Sequence, residues 1–385
     1  MPTPDTPPHD VTRAAVALLH ALSGPTGIHA SASPTANYRA VFTRDAVMAG
    51  MAGLLLDDAV IVAGLVRTLH ALRMLQGAEG QIASNYEIVG DAPAKVSFGT
   101  LAPRIDSTTW YLVGVALAGR AGAIDPAEFR DSVGAVVRLL DAIEYNGRHL
   151  VYVPTGGNWA DEYVYEGYVL YDQVLRAWAL RLLGAFYRQD AWTEKSSAIS
   201  RTIATQFRGA GDGPRHPIAA FTPAVTRDVF DLAAVALLAL SDTAPALATP
   251  ALDWLSGRFL DRGDLPPAFD PVIDESHPDW PALSRYHLHG FRNRPHEYHN
   301  GGVWPIWIGW LALALGRAGR PHDLATLRAI TAPRLGPDFA FEEYWHGLTH
   351  APLGTAQMAY SATGVLFLHA AGGAAAARLF DAPRA

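Results

Sequence analysis

Stretches of helical apolar period recur roughly twelve times along this chain, and the connections between them alternate between short and long. The first is VTRAAVALLHAL, from Val11, which SGPTG stops; the last runs from about Ala356 to His369. Among the others, helices are predicted to begin near Arg227 and at Pro250. Only EYNGRHLVYVP reads as strand, a small hairpin about Asn146 and Gly147. Short connections make antiparallel neighbours, so each long connection carries the chain to the next pair. If the pairs stand in a ring, the long connections gather on one face. The class is therefore all-α, a ring of helical hairpins. No linker or shift of composition divides the 385 residues, so residues 1–10 are expected to form a disordered tail and 11–385 a single domain. A solenoid would need a sequence period, and none is found.

Half of the residues are apolar and 17% are charged, enough to bury a large core. The net charge is −7 with no basic run, which argues against nucleic acid or an anionic membrane as partner. No cysteine is present, which removes disulfides, thiolate metal sites and a cysteine nucleophile. The longest apolar run, Trp304 to Leu315, is too short to span a bilayer, and MPTPDTPPHD has no signal pattern. These features predict a cytoplasmic protein with no membrane partner; self-association into a homo-oligomer stays open.

The stretch richest in chemistry is RPHEYHNGGVWPIW, Arg294 to Trp307. One carboxylate, Glu297, stands there among imidazoles, a phenol, an amide and indoles, directly before an apolar helix. Aromatic faces suit the C–H faces of a sugar, and Asn, His and carboxylate groups suit its hydroxyls, so a small carbohydrate is the expected partner. Three other long loops hold carboxylates: one leads to Arg44 and Asp45, one ends at Asp106, and TGGNWADEYVYEGYVLYDQ carries Asp161, Glu162, Glu166 and Asp172. Helix capping explains Asp57, Asp58 and Asp106 equally well when each is taken alone. His287, His289, His296 and His299 do not form the H-E-x-x-H zinc pattern, and neither metal nor cofactor is expected.

Four blocks, in order, resemble the alkaline and neutral invertases, a glycoside hydrolase family with an (α/α)6 barrel. They are NYRAVFTRDAVMAGMAGLLL, LAPRIDSTTWYLV, HEYHNGGVWP, and FEEYWHG followed by YSATGVL. Similar motifs occur in bacterial amylo-1,6-glucosidase-like proteins. The resemblance implies an (α/α)6 barrel and an inverting hydrolase of a small α-glucoside, with sucrose the leading substrate and other α-glycosides, glucosyl- or mannosyl-glycerate among them, as alternatives. It implies Asp106 as general acid and Glu297 as general base, with Arg44 and Asp45 in the sugar subsite. The blocks and loops supply the remaining candidate sugar-binding residues: Tyr38, Phe42, Asn85, Tyr86, Arg104, Trp110, Trp159, Asp161, Glu162, His296, His299, Asn300, Trp304 and Glu343. Two departures bear on substrate. Arg104-Ile105 replaces a usual Pro-Val pair, and NWADEY stands where an invertase carries an Asp-Gly-His segment. A non-catalytic sugar-binding protein and a sugar epimerase working through the histidines are the competing classes.

Overall fold

The computed structural model describes residues 10–33, 38–90, 92–100, 102–144, 146–209, 215–285 and 290–380. His287, His289 and most of the expected tail lie outside them. Asp10, assigned above to the tail, instead caps the first helix, its carboxylate accepting from Arg13 N at 3.1 Å.

The helices are α1 (Val11–Leu22), α2 (Thr43–Leu56), α3 (Ala59–Met74), α4 (Ile105–Arg120), α5 (Pro126–Ala142), α6 (Leu170–Tyr187), α7 (Asp190–Gln206), α8 (Leu232–Ser241), α9 (Pro245–Arg258), α10 (Trp280–Leu283), α11 (Pro305–Arg317), α12 (Pro321–Thr331), α13 (Ala359–Ala370) and α14 (Ala374–Phe380). Helices α2, α4, α6, α8, α11 and α13 each touch the next, and α13 touches α2, so these six close a ring. Outside it, α3, α5, α7, α9 and α12 each pack on the inner helix that precedes them, and α1 packs on α13, joining the two ends of the chain. This is the (α/α)6 barrel.

Burial follows from this placement. Inner helices such as α8, LAAVALLALS, are apolar on every side because neighbours cover every side. Outer helices bury one stripe: in α5 it is Phe129, Val133, Val136, Val137 and Leu140. Along the axis Trp110, Trp178 and Trp310 pack on one another, with ring centroids 5.5–6.4 Å apart. Phe380 of α14 closes on Trp178 and Trp310 from the end where α8 and α11 finish. Trp110 is thus part of the axial core, with its indole N–H donating to Tyr171 at 2.8 Å, and is no sugar platform. Among the described residues no single helix is long and apolar enough to cross a membrane.

Every connection from an outer to an inner helix is long, so all of them open at the N-termini of the inner ring. Four expectations fail locally. Among the described residues no strand forms about Asn146 and Gly147; Asn146 Oδ1 instead accepts from Arg148 N at 2.7 Å in a tight turn, and Val153 pairs with Gly167. The longest strands, Asn85–Val89 and Ala92–Ser97, form an antiparallel hairpin in a loop that carried no strand signal. Helix α8 starts five residues later than predicted because Phe230–Asp231 pairs with Phe269–Asp270 and Asp231 caps the helix. Helix α9 begins at Pro245, and Pro250 lies inside it.

Candidate active site

A cavity of about 630 Å³ opens at the end of the barrel where the long connections meet, a size suited to a small ligand. Its wall takes residues from each of these loops except the one before α8. Tyr38, Phe42, Arg44 and Asp45 come from the entry to α2; Ser84, Asn85, Lys95 and Ser97 from the hairpin; Arg104 from the cap of α4. Trp159 and Asp161 come from the loop before α6, Arg292, Tyr298 and Trp304 from the loop before α11, and Glu343 and Tyr360 from the last connection and α13.

Ten of the residues named from the sequence therefore share one cavity: Tyr38, Phe42, Arg44, Asp45, Asn85, Arg104, Trp159, Asp161, Trp304 and Glu343. The two named as acid and base do not line it. Asp106 sits in the first turn of α4, fully buried, and its Oδ2 accepts from Arg44 at 2.9 Å. Its carboxylate is an ion-pair partner of Arg44, which does line the cavity. Glu297 lies half-buried in a turn whose neighbours Tyr298 and His299 are packed against Trp304. Other candidates have structural duties. Tyr86 donates to Thr26 O at 2.7 Å, and Asn300 brackets Ile273 by accepting from its N–H at 2.8 Å and donating to its carbonyl at 2.7 Å. Glu162 is held by both arms of Arg292, and His296 lies against His346. His299 is buried between Trp159 and Trp304, and burial lowers its pKa to about 3, so the imidazole is neutral. Trp345 is core, paired through its backbone with Val303.

The carboxylates facing the cavity are Asp45, Asp161 and Glu343. Burial raises Asp45 to about 6 against the opposing pull of Arg44. Glu343 accepts from the Tyr38 hydroxyl at 2.9 Å and from Thr355 N at 3.3 Å; burial nevertheless raises its pKa, with Arg292 and Tyr38 opposing. Gly354 makes room for it: a Cβ there would stand 2.6 Å from Glu343 Oε2, and its φ is +79°. Asp161 is the opposite case. Burial pushes it up, but the charges of Arg104 and Arg44 hold it below the ordinary carboxylate value. Two loops thus bring to one cavity a carboxyl raised above its ordinary value and one held below it, a contrast of the kind general acid–base chemistry uses. The residues missed in the sequence are chiefly Lys95, Arg292, Tyr298 and Tyr360. The last two lie inside blocks already singled out, whereas nothing local marks Arg292, whose partner Glu162 is 130 positions away.

The two titrations set an expected pH dependence. Activity should fall on the acid side as Asp161 takes a proton and on the alkaline side as Glu343 loses its own, giving a bell in kcat/KM. A pH–rate profile that is flat across the carboxylate range would remove the pair from the chemistry.

This fold, a ring of six helical hairpins, is shared with solved structures. Among solved structures it is similar to the GH63 mannosylglycerate hydrolase from Thermus thermophilus in complex with Tris and D-glycerate, at 15% identity and a TM-score of 0.67, covering 93% of this chain and 99% of that one. It is also similar to a glycosidase variant in complex with glucose, at 15% identity and a TM-score of 0.65, over 94% and 95% of the two chains. A bacterial glucoamylase complexed with acarbose matches at 14% identity and a TM-score of 0.66, over 94% of this chain and 55% of that one. No family model matches the sequence, and no curated protein does.

Proposed function

We propose that the protein is an inverting glycoside hydrolase acting on a small α-glycoside, with Asp161 and Glu343 as its reacting carboxyl pair. The observation that carries this reading is the meeting of these two oppositely tuned carboxyls in one cavity of a glycosidase fold. One member gives a proton to the departing glycosidic oxygen while the other takes a proton from the attacking water, and no covalent sugar intermediate forms. Arg44 and Asp45, with Asp106 paired to Arg44, hold the sugar. Trp159 and Trp304 supply aromatic surface to the same wall.

For the leaving group we favour a small anionic aglycone such as glycerate over the fructose of sucrose. Each arginine of the wall is matched by a carboxylate: Arg44 with Asp45 and Asp106, Arg104 with Asp161, and Arg292 with Glu162. Lys95, on the exposed strand of the hairpin, forms no ion pair with a described residue and leaves a positive charge at the rim. The similarity to a mannosylglycerate hydrolase supports the same choice.

The purified protein should be screened on sucrose, trehalose, maltose, isomaltose, glucosylglycerate and mannosylglycerate. A glycerate glycoside is expected to be hydrolysed best. Lys95→Glu should raise KM for it about tenfold, the effect of losing about 1.4 kcal/mol of charge attraction, and leave KM for a neutral aryl glycoside unchanged. Fastest turnover of sucrose, or equal effects of Lys95→Glu on both substrates, would overturn the anionic aglycone.

A further inference from the structure

We infer that Arg104, Asn158 and Asp172 form a strut that positions Asp161, so that Arg104 acts on the reaction through that carboxylate and not by holding sugar. This rests on the assignment of Asp161 to the reacting pair.

The strut begins on the first turn of α6. Asp172, fully buried, accepts from Asn158 Nδ2 at 2.9 Å. Asn158, 1% exposed, accepts from Ala160 N at 3.1 Å through its Oδ1, fixing the turn that leads to Asp161. Its backbone carbonyl accepts from Arg104 Nη1 at 3.0 Å. The same Nη1 donates to Gly156 O, and Nη2 donates to Asp161 Oδ2. The loop is also tied to the start of α4, where Ile105 N donates to Gly157 O at 2.7 Å. One planar guanidinium thus joins two carbonyls and the carboxylate of a single loop, leaving little donor capacity for substrate. The floor of the barrel reaches the reacting group through side chains that are themselves locked, which is how a reacting carboxyl is held within the small tolerance that catalysis allows.

Charge follows the same geometry. The groups facing Asp161 are Arg104 at the cap of α4, Arg44 and Asp45 on α2, and Tyr298 and neutral His299 ahead of α11. Arg104 is the largest of the influences that lower Asp161. Taking away its charge raises the Asp161 pKa and moves the acid limb of kcat/KM to higher pH.

The test compares Arg104→Gln, Arg104→Lys, Asn158→Ala and Asp172→Asn with the parent and with Asp161→Asn, after thermal melts confirm folding. Expected for Arg104→Gln is a fall in kcat on the order of 10²-fold, KM unchanged, and the acid limb displaced upward. Arg104→Lys should keep the limb in place because the charge remains, yet lose kcat because an ammonium cannot bridge three acceptors. Asn158→Ala should lower kcat without changing KM, and Asp172→Asn should lower it less, because its amide keeps an acceptor oxygen for Asn158 Nδ2. A raised KM with an unmoved acid limb in Arg104→Gln would show direct sugar binding and overturn the strut, as would parent kcat in Asn158→Ala. Should Asp161→Asn itself stay active, it is the assignment of the reacting pair that fails.

Discussion

Asp161→Asn and Glu343→Gln are each expected to lower kcat by roughly 10²–10⁴-fold, the range in which positioned general acids and bases act. Both replacements keep the size of the side chain and an acceptor oxygen, so Arg104 and Tyr38 retain a partner and the fold survives. The double variant should be little worse than the poorer single one, because the carboxyls act in one step and their losses do not multiply. On a glycosyl fluoride, whose leaving group needs no proton, the variant lacking the acid should lose much less than the variant lacking the base. Glu297→Gln should remain close to the parent. Asp106→Asn should instead destabilise the protein, because Arg44 then lacks its closest buried counter-charge. Steady-state kinetics on the best substrate, with a denaturation curve for each variant, separates the two kinds of loss. If Glu297→Gln abolished turnover while Glu343→Gln did not, the reacting pair would be wrongly placed.

Gly364→Ala should cost about 3 kcal/mol or more, at the upper end of what overpacking does. Helices α11 and α13 cross with backbone on backbone. A Cβ on Gly364 would stand 2.2 Å from the carbonyl oxygen of Pro305 and 2.4 Å from its carbon, and a Cβ on Gly309 would stand 2.3 Å from the oxygen of Gly364. None of these atoms can rotate away, so the helices must separate. Trp304 precedes α11 and Tyr360 opens α13, and separation would therefore widen the cavity as well as loosen the ring. Guanidinium unfolding should show a lowered midpoint, and activity should fall below what the folded fraction explains. An unchanged midpoint would mean that this crossing is looser than its geometry indicates.

The ring of helices was legible because burial on all sides leaves an unbroken apolar signature, as in α8 and α11, and because outer helices such as α5 keep one clear stripe. Helix ends were less legible where a proline opens the helix, as at Pro245, or where a distant strand sets the start, as Phe269–Asp270 does for α8. The hairpin of Asn85–Val89 and Ala92–Ser97 stayed hidden because its second strand is exposed on nearly every residue and carries no alternation. Ten of the residues that line the cavity were named from the sequence, since aromatic and acidic residues clustered in loops between helices. What the sequence could not separate was a carboxylate at a helix start from one in a loop ahead of it. Asp106 lies in the first turn of α4, buried against Arg44, while the Asn158 turn leads to Asp161 on the cavity wall. That distinction depends on contacts made across the fold. Glu343, in FEEYWHG, was named only as a sugar contact, because its proximity to Tyr38 spans 305 positions.

The central claim is that Asp161 and Glu343 flank the reacting bond, and a crystal structure of Asp161→Asn soaked with the best substrate of the screen tests it most directly. The account predicts an intact glycoside with its ring on Arg44 and Asp45 and its aglycone toward Lys95. The positions of residues 161 and 343 should lie on opposite sides of the anomeric carbon, roughly 6.5–9.5 Å apart, with a water between one carboxyl and that carbon. A separation of about 5–5.5 Å would contradict inversion. A sugar whose anomeric carbon is approached by Asp106 or Glu297, or one bound away from this cavity, would contradict the account as a whole.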